Sequence, residues 1–232
     1  SGLTVVMEQL DVKELWMHKP WEHAHEIIDD ILDNRVTVNS LTNRLQDSLK
    51  IAKQLEEMAV ERKIPVYEPF QGNNIGHFHV LSPHPDWYNE LIKGFNNMPA
   101  SDKTTFLGEA VKKFTDTIKT VFENWNIETL SEDGLTSDKN ESSVVLFGRL
   151  PNNFDVLLTA DAGLIGLNKA YDYALANGVD LKICKFIQMP HHGGRRNVSP
   201  SLLDKLLGPK LPENSNPTKT AFVNTSKDCP EH

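Results

Sequence analysis

Cysteine is nearly absent from this chain, with only Cys184 and Cys229 among 232 residues. So small a supply excludes a disulfide framework and fits a reducing compartment, so a cytoplasmic location is expected. Long apolar runs are absent too: no stretch approaches the roughly 18 residues that would make a membrane helix. No secretory leader is visible, although that carries little weight in a chain opening at Ser1. Positive charge is in short supply, with 24 Lys and Arg against 32 Asp and Glu, a net charge of −8. That balance argues against a whole surface that binds nucleic acid non-specifically, while leaving open a local basic site at Arg195–Arg196. Repeats and low-complexity tracts are also missing.

What is there reads as an ordinary folded chain, 39% hydrophobic and 24% charged, long enough for one domain with a sizeable core and an insertion. Helical and strand-like stretches alternate in the α/β manner. Residues 3–10 read as a helix and 12–17 as a strand. A helix over about 23–33 puts Ala24, Ile27, Ile28 and Ile31 on one face. Another, capped by Asn39 or Ser40, runs to about Arg62, with Leu41, Leu45, Leu49, Ala52, Leu55 and Ala59 three or four apart. Residues 64–67 and 77–81 read as strands. From 86 to about 130 the pattern is interrupted by a helical insertion. Its main helix starts at Ser101 or Asp102 and aligns Phe106, Ala110, Phe114, Ile118, Val121 and Trp125; it is a candidate lid, docking face or simple decoration. Residues 129–140 read as a mobile polar loop. Strands at 143–148, 155–159, 182–189 and 220–224 are expected in one sheet, flanked by helices at 164–176 and 201–207.

Two of these buried runs stop at residues that bind metal. Asp161 follows Val156-Leu-Leu-Thr-Ala, and His191 and His192 follow Lys185-Phe-Ile-Gln-Met-Pro. A carboxylate and imidazoles at strand ends suit zinc, iron or manganese. Gly193 and Gly194 permit a tight turn, and Arg195 and Arg196 offer forked donors for phosphate oxygens. The plainer reading of Asp161 is a turn residue. Cys184 reads as a buried thiol within a strand over 183–187. His23 and His25, two apart on a helix, face different ways, whereas His77 and His79 share a strand face and read as a half-buried pair. His18 is expected to face solvent. Asn197 and Lys227 are candidate phosphate contacts whose plainer reading is exposed polar residues.

Leu157-Leu-Thr-Ala-Asp161-Ala, a helix, and then Pro190-His-His-Gly193 resemble the second half of the metallo-β-lactamase fold. The likeness is greatest to the branch containing the hydrolase domain of DNA-uptake competence proteins, and it extends through a late loop, Ser226-Lys-Asp-Cys-Pro-Glu-His232. The family's defining HxHxDH motif is absent, and Ser1-Gly2-Leu3 is similar to the helix start that follows it. The resemblance therefore implies an α/β fold: an αββα sandwich, incomplete at its N-terminus, spanning residues 1–232 with the insertion at about 86–130. It implies a metal-dependent hydrolase of phosphodiesters, a nuclease or phosphodiesterase, using one or two zinc ions, with manganese or iron as substitutes. Asp161 would bridge metals and His191 would be a terminal ligand. His192 would be a ligand, an orienting group or a donor to the leaving group, and His84 a further ligand after its strand. Arg195, Arg196 and His232 would contact substrate. On this reading the 232 residues alone are inactive and the full-length parent is active. Other ester classes (thioester, lactone, sulfate ester) remain open, as does a degenerate scaffold that binds a protein partner through the insertion.

Overall fold

A computed structural model describes residues 2–95, 98 and 129–224. The helix expected over 101–125, the docking face assigned to it, and Lys227, Cys229 and His232 lie outside the described residues. The chain is mixed α/β and divides into two compact units, one drawn from residues 1–69 and 86–105, the other from 70–85 and 106–232.

The first unit begins with α1 (Gly2–Gln9) and β1 (Leu15–Trp16). A 3-10 turn at Pro20–His23 leads into α2 (Ala24–Ile27) and a second 3-10 turn at Ile28–Asp30. Then come α3 (Val38–Ser48), α4 (Lys50–Glu61), β2 (Val66–Tyr67) and most of α5 (Pro85–Ile92). β1 and β2 pair in parallel, Leu15 beside Val66 and Trp16 beside Tyr67.

The single helix expected up to Arg62 is two helices, broken at Leu49 with φ −127° and ψ 41°. Each half serves a different neighbour. Leu41 and Leu45 are fully buried in α3, which packs on the Pro20–His23 turn, whereas Leu55 and Ala59 of α4 close over Met7 of α1. The cap is Thr37 rather than Asn39 or Ser40. Its hydroxyl accepts from the Ser40 amide at 3.2 Å, and Ser40 Oγ accepts from the Thr37 amide at 2.9 Å, a reciprocal capping box.

A six-stranded sheet organises the second unit, its spatial order following the chain. Its elements are β3 (Asn74–Ile75), β4 (Phe78–Ser82), α6 (Asp138–Glu141), β5 (Val145–Leu150), β6 (Phe154–Leu158), α7 (Leu164–Ala176), β7 (Phe186–Gln188), α8 (Pro200–Leu207) and β8 (Thr220–Phe222). The pairings from β3 to β6 are antiparallel; β6, β7 and β8 are parallel, their crossovers containing α7 and α8. The four strands expected at 143–224 do lie in one sheet. Leu81, Phe147, Leu157 and Ile187 share a core with Leu164, Leu167, Ala170 and Ala174 of α7 and Leu202 and Leu206 of α8.

The strand expected over 182–189 is shorter. Leu181–Ile183 is a 3-10 turn capped by the Asp180 carboxylate, which accepts from the Lys182 amide at 3.0 Å. Cys184 therefore lies between turn and strand. Burial, helped by the charge of Asp155, pushes its thiol up to about 12, so it stays protonated and unreactive.

Candidate functional site

Because β4, β6, β7 and β8 run the same way, their carboxyl ends share one edge of the sheet. The register pairs Ser82 with Val145, Leu146 with Leu158 and Leu157 with Ile187. Extended by one position between β5 and β6 and by two between β6 and β7, it aligns Ser82, Thr159 and Met189 in a row. His84, Asp161 and His191 each lie two positions beyond that row (84 − 82, 161 − 159, 191 − 189). Neighbouring strands are about 4.8 Å apart, so Asp161 and His191 begin one strand spacing apart, and His84 begins two spacings from Asp161. His84 is exposed; Asp161 and His191 are half-buried.

The loops after β6 and β7 are joined by hydrogen bonds. Thr159 Oγ1 donates to the Gln188 carbonyl at 2.7 Å, and the His191 amide donates to the Ala160 carbonyl at 3.0 Å. Asn197, 1% exposed, closes the connection. Its Nδ2 donates to the carbonyls of Asp161 at 3.0 Å and Ala162 at 3.2 Å, while its Oδ1 lies 3.3 Å from His191 Nδ1. This corrects the reading of Asn197 as an exposed polar residue. Gly194 allows the approach, since a Cβ there would stand 2.9 Å from Asn197 Oδ1 and 3.1 Å from the His191 carbonyl.

The two histidines sit in a Pro190–Gly193 turn beyond the strand, with left-handed φ of 44° at His191 and 57° at His192. Non-glycine residues occupy that region at a cost, and such strain collects at functional sites. The rings are 5.8 Å apart, and the exposed His192 donates from Nδ1 to the Asn224 carbonyl. Arg195 and Arg196 are exposed in the turn that follows it. The polar loop expected to be mobile is anchored against it. A Cβ on Gly134 would stand 2.6 Å from the Arg196 carbonyl oxygen, and Glu132 accepts from the Ser201 amide at 3.0 Å.

At the start of α7 lies a carboxylate pair that the sequence did not single out. Glu141, 1% exposed, accepts from the Gly166 amide at 2.7 Å and from Thr136 Oγ1 at 2.8 Å, so it occupies the N-terminal turn of α7. Burial pushes its carboxyl up, and these hydrogen bonds offset the shift only in part. Asp138 is 8% exposed; burial and then the charge of Glu141 push it up to about 6. Asp138-Lys-Asn-Glu141 lies at the end of the stretch read as a mobile polar loop, and nothing in its pattern marks these two acids as buried.

In the first unit, His18 does not face solvent. Its side chain is 12% exposed, and its ring stacks on Tyr88 at 4.3 Å. Burial and then the charge of His23 lower its pKa to about 3. His23 lies 3.0 Å from Glu68 and 3.3 Å from Glu26. Burial works against its charge, but the hydrogen bonds and charges of those two carboxylates prevail and raise its pKa. His77 is exposed; His79 is half-buried, stacked on Tyr173 at 5.9 Å with Nδ1 2.9 Å from Asn74 Oδ1.

Among the described residues, no group of three or more His, Cys, Asp or Glu side chains is arranged to hold a metal ion. The edge therefore brings together the loops of Asp161 and His191, with His84 on the same edge but two strands away. No family model, curated protein or solved structure matches this chain.

Proposed function

We propose that the second unit is the metallo-β-lactamase-like part of a metal-dependent hydrolase whose substrate is a phosphodiester. The observation that carries this reading is the joining of the Asp161 and His191 loops at one sheet edge, with two exposed arginines in the turn that follows His191. A carboxylate oxygen and an imidazole nitrogen fit zinc or manganese as donors. They supply two ligands of the four or more that such an ion takes. When bound, the ion would supply hydroxide near neutral pH. The chain's own contribution is to hold Asp161 and His191 in two hydrogen-bonded loops and to place Arg195 and Arg196 where they offset charge growing on phosphoryl oxygens. His192, held through Nδ1 by the Asn224 carbonyl, is a candidate orienting group or donor to the leaving group.

Metal analysis and hydrolysis of a bis-aryl phosphodiester, by protein expressed from its complete reading frame, test the proposal. Bound zinc or manganese with turnover supports it. A protein that neither holds metal nor cleaves the ester moves the reading to a non-catalytic scaffold. A preference for a lactone or thioester keeps the hydrolase and removes the phosphodiester.

A further inference from the structure

We infer that Asn197 is a positioning residue that fixes the tautomer of His191, placing the ring proton on Nδ1 and the lone pair on Nε2; its functional meaning rests on reading the Asp161–His191 edge as catalytic. The two ends of a carboxamide are unlike: the nitrogen only donates and the oxygen only accepts. Asn197 Nδ2 faces the carbonyls of Asp161 at 3.0 Å and Ala162 at 3.2 Å. Carbonyl oxygens only accept, so the amide nitrogen must be the atom that faces them. Oδ1 is then the atom 3.3 Å from His191 Nδ1, at the long end of the hydrogen-bond range. An amide oxygen also only accepts, so Nδ1 must carry the proton. A neutral imidazole protonated at Nδ1 has its lone pair at Nε2, the atom a ligand or base uses. Reversing the amide would set oxygen against two carbonyl oxygens, in a place 1% exposed where water cannot compensate.

The same side chain links the two loops. Asn197 follows the backbone position of Asp161 and Ala162 and hands it to the His191 ring, as outer hydrogen-bond partners do for ligating histidines.

Nitrogen-15 spectra of histidine-labelled protein, recorded without metal or substrate at a pH where His191 is neutral, read the tautomer directly. The His191 resonances are assigned by their loss in His191→Gln. The expected wild-type pattern is a protonated Nδ1 and an unprotonated Nε2. Asn197→Ala should shift it toward the Nε2-protonated form. A wild-type His191 protonated at Nε2 overturns the inference, as does an Asn197→Ala protein with the wild-type pattern. If the alanine variant does not fold, the wild-type spectrum decides alone. An inactive protein with the expected tautomer sinks the hydrolase reading only, and an active one with the opposite tautomer sinks this inference only.

Discussion

Asp138 carries a carboxyl that folding makes harder to ionise, and this has a measurable sign. Its folded pKa of about 6 stands above the ordinary 3.8, so its stabilising contribution is complete below about pH 3.8 and is lost as pH rises through about 6. Asp138→Asn should remove that loss. Urea melts at pH 4, 5, 6 and 7 should show a flatter profile for the variant, and parallel profiles would count against the assignment. His18 behaves in the opposite sense. Its folded pKa of about 3 lies below the ordinary 6.5, so stability is full above pH 6.5 and falls as pH drops from 6.5 toward 3. His18→Phe keeps an aromatic ring beside Tyr88 and removes the proton acceptor. Thermal melts between pH 7 and 4 should show it losing less stability on acidification than the wild type. His23, raised by Glu68 and Glu26, stabilises below pH 6.5, so the wild-type curve is a difference of two trends that His18→Phe separates.

At the scale of elements, apolar spacing located the helices but not their interruption. Leu49 continues the three-and-four stripe of α3 and α4, so spacing alone reads one long helix. The break is decided by what Leu41 and Leu45 pack against compared with Leu55 and Ala59. The strand expected over 182–189 failed similarly, because an apolar run is compatible with a buried 3-10 turn as well as with a ladder. The capping box is a local device and has a local test. Thr37→Ala should cost about 1 kcal/mol of stability, seen as a lowered urea midpoint with unchanged slope. No change would mean that α3 is held by packing alone.

For the molecule as a whole, the hydrolase proposal predicts a separation of function from stability. Asp161→Ala and His191→Ala should abolish phosphodiester turnover, while melting of the metal-free protein stays nearly unchanged for Asp161→Ala, whose side chain is half-buried, and falls for His191→Ala, which leaves the buried Asn197 Oδ1 without its donor. Arg195→Ala should lower kcat/KM for anionic esters more than for neutral ones, since it acts on developing charge. Equal losses on both substrates would assign Arg195 to folding or general binding. Much of this site was legible in the chain. Asp161, His191 and the arginine pair stand out as chemistry-bearing residues after buried runs, and register then places their loops on adjacent strands. Asn197, Asp138 and Glu141 were not legible, because a polar side chain looks the same in sequence whether water or a backbone amide receives its hydrogen bond.

By itself, the sequence determined the α/β alternation, the place of four of the six strands of the later sheet and the turn that holds His191 and His192, because apolar periodicity and glycine placement act over a few residues. Tertiary structure alone decided that His18 is enclosed against Tyr88, that Glu141 fills the first turn of α7, and that one buried amide joins the Asp161 loop to the His191 ring. Those outcomes depend on which distant backbone groups need a partner, and that is settled only when strands about 30 residues apart in the chain come to lie side by side.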